Sequence, residues 1–433
     1  MIYEYSQHNY FQKTTGAIFM TTTLTATSER ELTLEDVIAK YSHIPRLLIL
    51  RIDAQIRGVH YTDQALSVVD PAIHQLHSRA RHGIKDEESK PYPASLLLRD
   101  GSLILTFHTP LEKNPYLVDL VDGRLALVDN DEIIEFVELW EKPAYYELYT
   151  SSGIPMKDIV SARPQRLDLS SSTFCHFGAK NKGCKFCAIY PQDRKSIARR
   201  VKPQDITETI RAAISEPGRF SFIHITGGTK LGGKELLDAE LEHYIETLQA
   251  IGENFTTKKF PCDVTTTAFS EKQLHRLYDE TGIMAYTTDL EVLDEEKFNW
   301  ICPGKSETIG YKEWKRRLVT AVGIFGRGYV GTGIVAGVEL ARPFGFASED
   351  EALRSTLAEA EHLAENGVTT WGTVWKVLPG AEFRDQKGPS LEYCVRLAEG
   401  LYQLRVKYDL KVDFNDYRRC GNHPDADLSR LLK

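Results

Sequence analysis

From Pro164 onward, apolar runs of strand length alternate with stretches in which apolar residues recur at helical spacing. The pattern predicts a first strand over Arg166–Thr173 and a helix over Pro203–Ser215. Five further pairs follow: strand Phe220–Thr226 with helix Glu235–Glu253, Phe260–Thr267 with Glu271–Glu280, Ile283–Val292 with Tyr311–Phe325, Gly331–Glu339 with Glu349–Glu365, and Val368–Leu378 with Leu391–Lys407. Regular strand–helix alternation of this kind builds a parallel sheet with helices outside it. In barrels so built, chemistry sits at the carboxyl ends of the strands.

The chain before Pro164 has a different rhythm. Leu32–Tyr41 reads as a helix with Thr33 as its N-cap, and His43–Ile56 as a strand because of the run Leu47-Leu48-Ile49-Leu50. A helix is expected from Asp63 to about His82. Two strand–turn–strand units follow, with Asp100-Gly101 and Asp122-Gly123 as the turns. The expected organisation is therefore a polar, flexible leader over residues 1–28 and an α+β module over 29–155. The parallel unit follows over 156–380, entered through Ser151–Pro164, and 381–433 form a C-terminal helix and tail covering it.

Composition narrows the class. At 433 residues, with 26% charged and 42% hydrophobic side chains, the chain suits a globular protein with a large core. A net charge of -8 argues against a general nucleic-acid binder, which needs a cationic surplus. No apolar run approaches the ~18 residues of a membrane span. Met1–Thr22 lacks the basic start and apolar middle of a signal peptide. Seven cysteines, odd in number and clustered, read as reduced thiols and metal ligands in a cytoplasmic protein.

Three of those cysteines, Cys175, Cys184 and Cys187, lie within thirteen residues in the spacing Cys-x8-Cys-x2-Cys, directly after the first strand. Three thiolates on one loop suit a [4Fe–4S] cube with one iron left open for chemistry. The alternative is a structural zinc site, in which His176 joins the three cysteines as fourth ligand.

The loop resembles that of the radical S-adenosylmethionine (SAM) enzymes, with Lys185-Phe186 standing where that family has an x-aromatic pair. The family's usual first spacing is three residues; the eight here imply an insertion. The resemblance continues at successive strand ends. Thr226-Gly227-Gly228-Thr229 resembles the family's Gly-Gly-Glu turn, with Thr229 in place of the Glu. Asp289 and Glu291 are carboxylates in an apolar run, two apart and so on one face; they stand where the family meets the ribose or methionine part of SAM, with a salt bridge to an Arg or Lys as the alternative, and Thr267 adds a polar contact. Gly337 lies in a strand similar to the family's adenine-packing strand, and Leu378 ends the one that offers adenine backbone bonds. The resemblance covers residues 164–380. It implies a partial (β/α)6 TIM-like barrel and two cofactors, a [4Fe–4S] cluster and SAM. Phe186 would then pack near adenine.

By the same resemblance the chain is expected to be an oxygen-sensitive enzyme. It would cleave SAM reductively and start radical chemistry through a 5'-deoxyadenosyl radical on a small-molecule or peptide substrate. Electrons would come from a donor such as flavodoxin or ferredoxin. Lys180, Lys182, Lys185, Arg194, Lys195, Arg199 and Arg200 offer that donor a basic face around the loop, or simply a solvated one. Cys302-Pro303-Gly304-Lys305 resembles a segment of other radical SAM proteins and carries no assigned role. No cobalamin-type signature is present in the N-terminal region. Cys420, with His423 nearby, is a candidate hydrogen donor or catalytic thiol, set against a tail thiol without a role. Two alternatives stand beside this reading: transfer of a 3-amino-3-carboxypropyl group from SAM, and a non-catalytic zinc or iron–sulfur scaffold.

Overall fold

A computed structural model describes residues 31–77, 91–172, 174–188, 201–411 and 421–432. The expected leader, His82, the basic residues Arg194, Lys195, Arg199 and Arg200, and Cys420 lie outside the described residues.

Helix α1 (Leu34–Lys40) opens on a capping box. The Thr33 hydroxyl accepts from Asp36 N–H at 3.2 Å, and the Asp36 carboxylate accepts from Thr33 N–H at 2.9 Å. The segment expected as a strand over His43–Ile56 is instead helix α2 (Arg46–Arg57). Its continuous apolar run has a reason: Leu48, Ile49 and Ile52 enter the core shared with the large sheet, while Leu47, Leu50 and Ala54 enter a second core. A helix buried on two sides loses the amphipathic period that would identify it.

Strand β1 (Val59–Tyr61) and a short α3 (Asp63–Ser67) follow, and the chain then becomes extended as β2 (Leu76–His77). The expected helix from Asp63 thus ends after five residues. Strand β2 pairs with β3 (Tyr92–Pro93). The first expected hairpin is β4 (Ser95–Leu97) with β5 (Leu103–Leu105). The second is β6 (Tyr116–Val121) with β7 (Arg124–Asp129), closed by Asp122 and Gly123, both at positive φ as a two-residue hairpin turn requires. Strands β8 (Glu132–Phe136) and β9 (Glu138–Leu139) complete sheets ordered β1-β6-β7-β8 and β5-β4-β9.

The large sheet has seven strands in sequence order. Strand β10 (Ser161–Arg163) is an antiparallel edge, within the stretch expected to be a link. The remaining six run parallel: β11 (Gln165–Ser172), β12 (Phe220–Gly227), β13 (Phe260–Thr265), β14 (Ile283–Thr287), β15 (Val330–Ala336) and β16 (Val368–Val374).

Between the strands lie α4 (His176–Ala179), α5 (Pro203–Ile214), α6 (Asp238–Gly252), α7 (Glu271–Glu280), α8 (Glu295–Ile301), α9 (Pro303–Thr308), α10 (Tyr311–Phe325) and α11 (Glu349–Glu365). Helices α12 (Leu391–Lys407) and α13 (Pro424–Leu431) close the chain. Leu167, Ile223, Val264 and Ile334 pack with helix residues such as Leu241, Leu248 and Leu274 in one core. Because strand side chains alternate, the positions between these core residues on β11, β12 and β13 face the other way, and Arg166, Asp168, His224, Asp263 and Thr265 among them are polar.

Candidate active site

Strand register stacks the polar positions in layers. Asp168 pairs with His224, and His224 with Asp263, so these three stand side by side across β11, β12 and β13. One step toward the carboxyl ends, Ser170, Thr226, Thr265 and Thr287 form a second row. Both rows line a cavity of about 340 Å3, completed by Arg163, Arg166, Asp289, Glu291, Trp371 and His423, among others.

The floor is ionic. The Asp168 carboxylate takes Arg166 Nε at 2.5 Å on one oxygen and Arg163 Nε at 3.2 Å on the other. Burial alone would raise its pKa, but Arg166, Arg163 and His224 overcome that and hold it at about 2. His224 Nδ1 lies 2.5 Å from Asp263 Oδ1, a contact that fixes the ring's orientation. None of Arg163, Arg166, Asp168, His224 or Asp263 was marked as a site residue by the sequence. The signal that could have found them is an ionisable side chain inside an otherwise apolar strand, single in β12 and β13 and doubled at Arg166 and Asp168 in β11.

Above the floor, Asp289 Oδ1 accepts from Gly333 N–H at 2.7 Å. A Cβ at Gly333 would lie 2.6 Å from that oxygen, so the contact requires glycine. Glu291 Oε1 receives Lys305 Nζ at 2.7 Å, and the same ammonium reaches Asp289 O at 2.6 Å. Burial works against the Lys305 charge, yet Glu291 together with Cys184 and Cys302 holds its pKa well above the ordinary lysine range. Glu291 sits at φ +68°, a left-handed conformation that is uncommon outside glycine. Its N–H to Gly333 O (3.0 Å) and its carbonyl from Val335 N–H (2.9 Å) hold it there.

Cys175 caps α4, and Cys187 N–H donates to Cys184 O at 2.9 Å, closing the Cys-x2-Cys turn. All three cysteines of the loop are thiols of intermediate exposure. Cys184 is hydrogen-bonded to the buried Cys302, and that bond, with burial, raises its pKa. The Cys302–Lys305 segment underlies the loop: Gly304 N–H donates to Lys182 O (2.9 Å), and Lys185 N–H to Ile301 O (3.0 Å). His176, considered above as a zinc ligand, accepts Leu231 N–H on Nδ1 at 2.8 Å.

The turn after β12 meets this loop. A Cβ on Gly228 would lie 2.4 Å from Phe174 O and 2.8 Å from Cys175 Cβ. His176 N–H donates to Thr229 O at 2.9 Å, and Thr229 Oγ1 lies 2.8 Å from Thr267 Oγ1. Phe186 packs half-buried on the core. Gly337 is not among the cavity's described walls; it turns at φ +99° against Pro389. Leu378 is half-buried and also off the cavity wall, although the segment after it touches the loop, Phe383 N–H donating to Lys185 O at 2.9 Å.

Among the described residues, no three His, Cys, Asp or Glu side chains converge on a single point as they would around one ion. A [4Fe–4S] cube takes its thiolates at separate corners. The donor set of Cys175, Cys184 and Cys187, on a loop against which a glycine turn closes without a Cβ, fits such a group.

No family model matches the chain. Over 377 residues it is 22% identical to the bacteriochlorophyllide c C-7(1)-hydroxylase of Chlorobaculum limnaeum, spanning 78% of this chain and 86% of that protein. Among solved structures it is similar to methylornithine synthase, with 15% identity, 61% of this chain and 78% of that one covered, and a TM-score of 0.39. It is also similar to a radical SAM methyltransferase from Sphaerobacter thermophilus, with 15% identity, 86% and 92% covered, and a TM-score of 0.41. The cysteine loop leaves a parallel sheet at the carboxyl ends of its strands, where chemistry sits in folds of this kind.

Proposed function

We propose that Cys175, Cys184 and Cys187 hold a [4Fe–4S] cluster, that SAM lies between this loop and the Gly227-Gly228 turn, and that hydrogen abstraction starts on a small polar substrate in the cavity below. The observation that carries this reading is the juxtaposition of three thiols, a Cβ-free turn and a charged cavity at one end of the parallel strands. When bound, the cluster and SAM supply the electron transfer and the radical. The chain's own residues bind, orient and exclude water. The Gly227-Gly228 backbone approaches a ligand without steric hindrance. Lys305 holds Glu291 and the backbone of Asp289 in place at the rim. The pairs Arg166–Asp168 and His224–Asp263 give the floor fixed charges and hydrogen-bonding groups for a substrate.

The hydroxylase relative acts, by its name, on a bacteriochlorophyllide. The cavity here supports a different substrate class. Its walls carry the carboxylates of Asp168, Asp263, Asp289 and Glu291, the guanidinium groups of Arg163 and Arg166, and the imidazoles of His224 and His423. Trp371, Leu169, Ile334 and Val335 supply the apolar part. These groups are held in pairs, Arg166 with Asp168, His224 with Asp263 and Lys305 with Glu291, and a small polar substrate can join those networks without breaking them.

The test is anaerobic iron loading of single alanine variants. Cys175→Ala, Cys184→Ala and Cys187→Ala should each lose iron and the cluster's visible absorption, whereas Cys262→Ala, whose thiol is buried on β13, should keep both. Full iron uptake by all three loop variants would refute the ligand assignment.

A further inference from the structure

We propose that Glu240, on helix α6, is a positioning residue for SAM: its buried carboxylate sets the turn after β12 against the end of β13, and SAM affinity depends on it. The inference rests on the reading that SAM occupies this turn.

Glu240 is 2% exposed, and every bond made to its carboxylate comes from a neutral donor. One oxygen accepts Lys230 N–H at 2.8 Å and the Thr267 hydroxyl at 3.0 Å; the other accepts Thr267 N–H at 2.7 Å. Two strand ends that carry candidate SAM contacts are thereby joined through one side chain from outside the sheet. The linkage continues toward the iron site. Thr229 precedes Lys230 and accepts His176 N–H at 2.9 Å, Leu231 follows it and donates to His176 Nδ1 at 2.8 Å, and His176 adjoins Cys175. A carboxylate buried deep in a helix–sheet interface is costly unless its acceptor capacity is used. Here three donors use it, all belonging to the rim.

The ionisable groups facing it are Lys230, whose charge favours the carboxylate, and Tyr286 across β14. Burial pushes the Glu240 pKa up to about 7, with the bonds from Thr267 and Lys230 opposing that rise. Below neutral pH the carboxyl group takes a proton, and one of the three rim donors loses its acceptor.

Glu240→Gln keeps the shape but turns an amide N–H toward a rim donor. In the cofactor-free chain, exchange of the Lys230 and Thr267 amides should accelerate by roughly tenfold, the loss of about one hydrogen bond. In the iron-loaded protein, the Kd for SAM at pH 8 should rise roughly tenfold on the same ground, with iron content unchanged. Between pH 8 and pH 6 the wild-type affinity should fall more than that of the variant, since the amino group of SAM titrates alike in both. Should Glu240→Gln not fold, Thr267→Val removes only the hydroxyl donor and should raise the Kd severalfold. Wild-type SAM affinity and amide protection in these variants would overturn the role of Glu240 alone. A wild-type chain that loads iron and binds no SAM would overturn the SAM site as well.

Discussion

Two buried carboxylates, one at the floor of the cavity and one behind its rim, are driven in opposite directions by the company they keep. Asp168 lies between two guanidinium groups and is held at about 2. Glu240, more deeply buried, is bonded by amide and hydroxyl donors and rises to about 7. Burial raises both, and the opposite directions come from full opposite charge around Asp168 against dipoles around Glu240. The floor is therefore a fixed ionic surface at physiological pH. The rim is held by a group poised to change protonation there. A substrate site profits from the first and a cofactor turn is sensitive to the second.

The comparison can be broken at its ionic end first. Asp168→Ala leaves Arg166, 4% exposed, without its carboxylate. Removing one partner of a buried pair costs about 3–5 kcal/mol, so the denaturation midpoint should drop steeply; a loss below ~1 kcal/mol would show that the floor pair is solvated.

The pH dependence separates the two residues more finely. The Asp168 carboxylate is depressed in the fold, so its contribution of about 2 kcal/mol is present above its unfolded pKa and lost as pH falls from about 4 toward 2. Glu240 is raised in the fold, so the native state binds the extra proton between about 4.5 and 7. Stability there declines as pH rises, by up to about 3 kcal/mol. Unfolding curves across this range should show a shallower slope in Glu240→Gln than in the wild type, the remainder coming from Glu291, which burial also raises to about 7. An equal slope in both would assign it to Glu291 and leave Glu240 without a part in it.

A smaller effect is expected at the turn itself. The Cβ of Gly228→Ala would press on Phe174 O and Cys175 Cβ, an overpacking cost of about 1–3 kcal/mol. Reduced iron retention should accompany it. Unchanged stability with unchanged iron would mean that the turn and the loop can separate.

Much of this architecture was legible in the chain. Helices α7, α10, α11 and α12 begin and end where their periodicity predicted, because each is amphipathic on the outside of a sheet. Helix α2 was misread because two cores cover it. Strand β14 ends at Thr287 rather than Val292: the chain leaves the sheet at Thr288 and returns only as the single bridge of Glu291 to Ile334. Asp289 and Glu291 stood out as carboxylates in an apolar run. Asp168, beside Arg166, and Asp263 each stand as the single carboxylate of their strand, a weaker signal than the pair Asp289 and Glu291. Lys305 was not legible as the partner of Glu291, since α8 and the start of α9 intervene. Nor did any local pattern distinguish Glu240 from the other acidic residues of α6; its role exists only where β12, β13 and α6 meet.

A SAM-cleaving cluster on Cys175, Cys184 and Cys187 should reveal itself on anaerobic reconstitution followed by dithionite and SAM, with the nucleoside product identified by mass. The expected result is about four irons per chain and release of 5'-deoxyadenosine. Methylthioadenosine in its place would replace hydrogen abstraction with cleavage toward a 3-amino-3-carboxypropyl group. One zinc per chain, no iron and intact SAM would contradict the account.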